Sequence, residues 1–211
     1  MNKEYMIWND FQSIDLIVKL LADDQVILGD SDTVLGLLAN TSSRGRLALD
    51  LIKGRDKKPY IILIETLFEA EKFVDKADLI KIAPLLTGFW PGPLTVIFKA
   101  KAGVASYLQG ENGTIALRVP DHKGLLSILA HFDGLFSTSA NLAGQNVPIF
   151  IEDVDQLILD KTALIVLDEG LNKAQKLPST IIDCSQSEIR LVRQGAYSKA
   201  DIEQILGKSI L

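Results

Sequence analysis

The chain has 211 residues, of which 47% are hydrophobic and 23% charged, so it can bury a sizeable core and is not intrinsically disordered. Its net charge of −5 disfavours a dedicated nucleic-acid-binding module, although a local basic cleft stays open. A single cysteine, Cys184, excludes an intrachain disulfide and a cysteine cluster for zinc. No secretory signal is apparent and the apolar runs are too short to span a bilayer, so we expect a cytoplasmic protein.

Helices and strands are predicted to alternate along the chain. Helices are predicted at 14–21 (with Ser13 as its cap), 46–52, 79–86 and 125–132, and a last one from Ser198, where Asp201 completes a capping box. Strands are predicted at 26–28, 60–65, 94–98, 114–119, 135–138, 163–167, 180–183 and 189–192. This pattern predicts a single α/β domain over residues 1–211, with a twisted mixed β-sheet flanked by helices and a concave ligand face.

Polar residues follow several apolar strands, where α/β proteins place ligands. In the first group, Asp30, Asp32 and Thr33 form an Asp-x-Asp-Thr arrangement, close to an Asp-x-Asp-x-Thr motif. This resembles the opening motif of haloacid-dehalogenase-type phosphatases, in which the first aspartate is a nucleophile and the second a general acid. A polar turn that caps the following segment explains the same residues equally well.

A second group places two cations at a predicted helix end, where Lys53 and Arg55 flank Gly54. Lysine as a compact charge and arginine as a planar fork suit the oxygens of a triphosphate. The alternative is a solvated charge run, because cations also suit the dipole at a helix C-terminus.

Hydroxyl and amide side chains follow two further strands. After the first of them come Ser137, Ser139 and Asn141. Their side chains could donate hydrogen bonds to a phosphate or a purine, or they could cap a helix. Ser179 precedes another strand, and Arg193 lies downstream of it. Taken alone, each group also fits an ordinary turn.

Taken in order, these motifs resemble the YrdC family. The matching motifs are Asp-Thr-Val-x-Gly-Leu at 32–37, Lys-Gly-Arg at 53–55, Trp-Pro-Gly-Pro-Leu-Thr at 90–95, Thr-Ile-Ala-Leu-Arg-Val-Pro at 114–120, Ser-Thr-Ser-Ala-Asn-Leu-x-Gly at 137–144, Pro-Ser-Thr at 178–180 and Arg-x-Gly at 193–195. The resemblance covers about residues 26–195, and the motifs at 90–95 and 137–144 are its most specific parts. It indicates the short, single-domain form of the family.

The resemblance implies a threonylcarbamoyl-AMP synthase, which is a nucleotidyltransferase. Such an enzyme combines L-threonine, bicarbonate and ATP, taken with Mg²⁺, into threonylcarbamoyl-adenylate and releases pyrophosphate. A partner transferase then passes the threonylcarbamoyl group to a tRNA adenosine, and direct contact with tRNA or another RNA stays open. No dedicated protein ligands for a metal are expected.

The resemblance also implies roles for individual residues. Lys53 and Arg55 match the Lys-x-Arg pair that faces the phosphates, and they are the catalytic candidates. The remaining candidates are nucleotide contacts at Thr114, Ser139, Asn141 and Arg193, and threonine contacts at Ser31, Arg118, Ser137 and Ser179.

The segment 29–31 departs from the family pattern, since Gly29, Asp30 and Ser31 stand where the family usually has Tyr-Pro-Thr. Ser31 keeps the hydroxyl, so the departure concerns amino-acid specificity more than nucleotide binding. Two alternatives stay open: an aspartate-nucleophile phosphatase that uses Asp30 and Asp32, and a YrdC-like RNA-binding protein without synthase activity. A YrdC-like branch that serves in carbamoyl transfer is a further variant.

Overall fold

The computed structural model describes residues 5–8, 11–54, 59–168 and 177–211, without the side chains of residues 11 and 12. The strands are β1 (Tyr5–Ile7), β2 (Ile27–Gly29), β3 (Gly36–Asn40), β4 (Ile61–Leu63), β5 (Leu94–Lys99), β6 (Thr114–Arg118), β7 (Leu135–Ser139), β8 (Leu164–Leu167), β9 (Thr180–Asp183) and β10 (Arg190–Arg193). The α-helices are α1 (Phe11–Ala22), α2 (Ser43–Lys53), α3 (Lys76–Lys81), α4 (Ala83–Phe89), α5 (Lys123–Leu129), α6 (Gln156–Lys161) and α7 (Lys199–Leu206).

All of these strands belong to one ten-stranded sheet, in the order β1-β8-β2-β3-β7-β4-β6-β5-β9-β10. The pairs β1–β8, β2–β8, β4–β6 and β5–β9 are parallel, and the other neighbours are antiparallel. The prediction of an α/β fold with one mixed sheet is therefore confirmed.

Apolar side chains pack in two layers, because alternate residues of a strand point to opposite faces of the sheet. On one face, Ile17 of α1 and Ile128 of α5 pack with Leu38 of β3 and with Trp8. On the other face, the larger cluster joins residues of α2, α3, α4, α6 and α7 to the strands. The face that carries α1 and α5 is the one on which the candidate site lies.

The predicted helix boundaries differ from the structure by up to three residues, and two of the predicted helices differ in a cap or in continuity. The first begins at Phe11, so Ser13 lies inside it as a buried residue and does not cap it. The helix predicted at 79–86 is two helices, α3 and α4, which meet at Ile82. Pro84 at the start of α4 causes this break, since it donates no N–H and its ring would clash with the preceding turn. The capping box of α7 is confirmed: Asp201 N donates to Ser198 Oγ at 3.2 Å.

Strands β1 and β3 were not predicted from the sequence. β3 follows β2 in an antiparallel hairpin that pairs Gly29 with Gly36. Within the described part of the chain, no helix has the length and apolar character needed to cross a bilayer.

Candidate functional site

A cavity of about 250 Å³ lies over the strands β2, β3, β7, β4 and β6, on the face that carries α5. Register places small residues in its floor, since Gly29 pairs with Gly36 and Gly36 pairs with Ser139. Two residues further along β3, Leu38 pairs with Ser137. Six of the residues proposed from the sequence line this one cavity: Ser31, Arg118, Ser137, Ser139, Ser179 and Arg193.

Arg118 is a buried cation in the cavity wall, with 4% of its surface exposed. Its Nη2 forms an ion pair with Asp32, and its Nη1 donates to Thr33 Oγ1 at 3.0 Å. The other Asp32 oxygen accepts from Asp121 N at 3.1 Å. Burial lowers the pKa of Arg118, and the Asp32 carboxylate opposes that shift. The loop between β2 and β3 thus reaches across the sheet and fixes the arginine on β6.

Ser179 and Arg193 form one hydrogen-bonded unit, although they come from separate motifs. Arg193 Nη2 donates to Ser179 O at 2.8 Å, and its Nε donates to the same oxygen at 3.2 Å. Ser179 Oγ lies 2.9 Å from Thr95 Oγ1. A Cβ at Gly195 would lie 2.1 Å from Pro178 O, so only glycine lets these two segments approach so closely. Burial lowers the pKa of Arg193.

Lys53 is buried at the end of α2 and bonds to the loop that follows β7. Its Nζ donates to Ser139 O at 2.6 Å, to Asn141 Oδ1 at 3.1 Å and to Asn141 O. Ser139 Oγ in turn donates to Asn141 Oδ1. Ser139 lines the cavity, whereas Lys53 and Asn141 do not. Lys53 therefore holds the segment that presents Ser139, and its contact with phosphate stays a prediction.

Besides Lys53 and Asn141, two more of the proposed residues do not line the cavity or lie outside the described residues. Thr114 begins β6 on the same side as Arg118, and its Oγ1 donates to Glu111 O at 2.9 Å. It is absent from the cavity lining. Arg55 lies outside the described residues.

A polar network beside the cavity was missed by the sequence interpretation. Asp30 Oδ1 accepts from Trp8 Nε1 at 2.7 Å and from Asp168 N at 3.0 Å. His122 Nε2 lies 2.9 Å from Asp168 Oδ1, and its Nδ1 accepts from Leu125 N at 3.1 Å. One signal could have found it: Asp30 and Asp168 follow β2 and β8, which are parallel neighbours whose carboxyl ends meet.

This network also has the composition of a metal site, since ligand atoms of Asp30, His122 and Asp168 lie within 4.8 Å of one another. The tautomer of the ring argues against that use. Because Nδ1 accepts a hydrogen bond from Leu125 N, the proton of the neutral ring is on Nε2, which donates it to Asp168. A metal at Nε2 would have to displace that proton. We therefore interpret the group as a hydrogen-bonded network.

The aspartate-nucleophile alternative fits this geometry poorly. Its proposed nucleophile, Asp30, is held by two N–H donors, and its proposed general acid, Asp32, is tied to Arg118. A general acid must carry a proton, whereas an ion pair with arginine favours the charged carboxylate.

Comparison with known proteins agrees with the fold. A model of the Sua5/YciO/YrdC family, described as "Telomere recombination", matches residues 19–195. The chain is 31% identical over 193 residues to the threonylcarbamoyl-AMP synthase of Bacillus subtilis, a match that covers 89% of this chain and 55% of that protein. It is 30% identical over 189 residues to the threonylcarbamoyl-AMP synthase of Vibrio cholerae, covering 87% of this chain and 98% of that protein.

Solved structures show the same architecture. The P. abyssi Sua5 structure, which was determined in complex with L-threonine, superposes with a TM-score of 0.85 at 24% identity, over 95% of this chain and 59% of that chain. E. coli YciO superposes with a TM-score of 0.76 at 19% identity, over 93% of this chain and 97% of that chain. The chain thus spans little more than half of the B. subtilis and P. abyssi proteins and nearly all of the V. cholerae and E. coli ones. With its motifs, its sheet and the match over residues 19–195, the chain belongs to the Sua5/YciO/YrdC family.

Proposed function

We propose that this chain is a threonylcarbamoyl-AMP synthase, which forms threonylcarbamoyl-adenylate and pyrophosphate from L-threonine, bicarbonate and ATP. The observation that carries the proposal is the joint lining of one cavity by two arginines and four serine hydroxyls from separate motifs: Ser31, Arg118, Ser137, Ser139, Ser179 and Arg193. The names of the B. subtilis and V. cholerae relatives support it. The cytoplasm and a tRNA-modifying transferase are the proposed setting and partner.

The reaction suits a site without a side-chain nucleophile. The neutral amino group of threonine first attacks the carbon of bicarbonate, so that an N–C bond forms, a C–O bond breaks and water leaves. An oxygen of the resulting carbamate then attacks the α-phosphorus of ATP. An oxygen–phosphorus bond forms as the bond to the β-phosphate bridging oxygen breaks, and pyrophosphate leaves with the electron pair. Mg²⁺ enters with ATP as part of the substrate. The protein has to position these anions and stabilise the charge that develops on them.

The cations of the cavity meet this requirement. Arg118 is buried, and a charge withdrawn from water acts more strongly than one at an open surface, whereas Arg193 is the more exposed of the two cations. Each is held in place by contacts with neighbouring side chains or backbone. Preorganised donors of this kind need no rearrangement as charge develops. We also assign phosphate contacts to Arg55. The role that we assign to Lys53 is to support Ser139.

The activity is tested by incubating the chain with ATP, Mg²⁺, bicarbonate and each amino acid in turn. We expect pyrophosphate release with L-threonine and detection of the adenylate by mass spectrometry. Arg193→Ala should lower the rate about 10- to 100-fold, because it removes charge-assisted hydrogen bonds. Arg190→Ala is the matched control, since Arg190 lies exposed on the same strand and outside the cavity lining. If no amino acid elicits pyrophosphate, the proposal is wrong.

A further inference from the structure

We propose that Asp30 selects the amino-acid substrate by binding its α-ammonium group, an inference that rests on the proposed function. Asp30 is half-buried and lines the cavity at the end of β2. Phosphatase chemistry is not needed to explain its presence there. What needs an explanation is a carboxylate in the wall of a site whose substrates are mostly anions.

The Asp30 side chain is fixed before any substrate arrives. Its Oδ1 accepts from Trp8 Nε1 at 2.7 Å and from Asp168 N at 3.0 Å, and both donors are neutral. Such bonds hold the orientation of the carboxylate. A charged group that is already oriented binds its partner at a lower entropic cost.

The indole that holds Asp30 is itself fixed by two glycines. A Cβ at Gly29 would lie 2.4 Å from Trp8 Cζ2, and a Cβ at Gly124 would lie 2.3 Å from Trp8 Cβ. Any side chain at either position would displace the ring, which is fully buried. Gly29, Trp8 and Asp30 therefore act as a unit, in which the glycine makes room for the indole and the indole orients the carboxylate.

Charge decides which substrate group this unit suits. Among the described residues that line the cavity, the charged ones are Asp30, Arg118 and Arg193. The triphosphate, bicarbonate and the amino-acid carboxylate are anions that the two arginines attract and Asp30 repels. The α-ammonium of the free amino acid is a cation that Asp30 complements. Asp32 does not compete for this role, because it is absent from the cavity lining and is bound to Arg118.

The test compares L-threonine with (2S,3R)-2,3-dihydroxybutanoate, which replaces the amino group by a hydroxyl and keeps the rest. Binding of each compound to the full chain is measured by calorimetry without ATP. Asp30→Asn retains an oxygen that can accept from Trp8 and Asp168 while it removes the charge. We expect this variant to bind L-threonine about 10- to 100-fold more weakly and the analogue nearly as well as the wild type does. In turnover, the KM for L-threonine should rise while the KM for ATP and the kcat stay close to wild type.

Two further variants keep the test decisive. Trp8→Phe keeps a ring on Gly29 but removes the Nε1 donor, so we expect a smaller loss of L-threonine binding that again spares the analogue. Asp23→Asn changes an exposed carboxylate away from the cavity and should alter neither affinity. Equal L-threonine affinity in Asp30→Asn and wild type would overturn the inference, as would equal weakening of both compounds.

The remaining outcomes also separate the inference from the proposed function. Mg²⁺ alone is titrated into wild type and Asp30→Asn, and binding that requires Asp30 would make it a cation ligand and overturn the inference. If the wild type neither binds L-threonine nor releases pyrophosphate, the proposed function fails. If the wild type is active and Asp30→Asn matches it in every assay, only the role of Asp30 fails.

Discussion

Arg118 and Asp32 are a buried ion pair, with 5% and 9% of their side chains exposed. Removal of one partner from such a pair leaves an uncompensated charge away from water, which commonly costs about 3–5 kcal/mol. Arg118→Met should therefore lower the free energy of unfolding by about that amount. Adding Asp32→Asn to it removes the stranded charge, so the double variant should regain more than half of the loss.

Urea denaturation of wild type, both single variants and the double variant measures this coupling. Simple addition of the two single losses would show that the ion pair does not stabilise the fold. Pyrophosphate release should be impaired whenever Arg118 is replaced, whatever stability is regained, because the cation in the cavity is then missing.

Most residues assigned to the cavity from sequence were found in it, because they follow strands or lie in short motifs. Ser137 and Ser139 are two positions apart on β7, so both side chains point to the same face of the sheet. The Asp32–Arg118 pair could not be predicted, since it depends on how far the loop after β2 reaches across the sheet. The contacts of Lys53 could not be predicted from the sequence either, because they join residues that are 86 and 88 positions apart along the chain.

At the scale of elements, α2 ends at Lys53 and is capped by Gly54, which has a φ of 61° in the left-handed region. A Cβ at this position would contact nothing within 4 Å, so Gly54→Ala introduces backbone strain without a clash. Gly207 after α7 is its matched control, with a φ of 64° and equally open surroundings. Each alanine should cost about 1 kcal/mol of stability.

Only Gly54→Ala should also slow pyrophosphate release, because Gly54 sets how the chain leaves Lys53 and leads to Arg55. Thermal denaturation and turnover of the two variants separate these effects. Equal turnover in both variants would mean that the path of the chain between Lys53 and Arg55 does not matter for the reaction.

Local sequence patterns predicted some helices and strands more accurately than others. Apolar runs placed β5, β6, β7 and β9 almost to the residue. The break at Ile82 was missed although Pro84 signals it, because apolar periodicity continues through both helices. β1 was missed because it is only three residues long and forms by pairing with β8. Short strands of this kind are stabilised by the sheet rather than by their own sequence.

For the whole molecule, the α/β class was predictable but the order of the strands was not. β2 and β8 are parallel neighbours although most of the chain separates them, and β9 pairs with β5 rather than with β8. Such pairings depend on long-range packing, on which a pattern of short apolar segments carries little information.

Global unfolding can be followed at Cys184, the single cysteine of the chain. Burial, assisted by the nearby Asp183 carboxylate, raises the pKa of this thiol to about 12. Since the thiolate is the reactive form, iodoacetamide should modify the native protein very slowly at pH 8 and the urea-unfolded chain rapidly, where the pKa returns to roughly 8.5. The native rate should rise about tenfold per pH unit between pH 8 and 10. Rapid labelling in native buffer at pH 8 would contradict this assignment.

The position of Trp8 against Gly29 has an optical consequence. The chain has two tryptophans, and the second, Trp90, is bonded through its Nε1 to Leu94 O at 2.7 Å, within the core on the other face of the sheet. In a Trp90→Phe variant, the indole beside Asp30 would be the single tryptophan emitter. Its spectrum responds to the local field, so a cation that arrives at Asp30 would change the emission without any attached label. The protein thus carries its own fluorescent reporter at the end of the cavity that Asp30 lines.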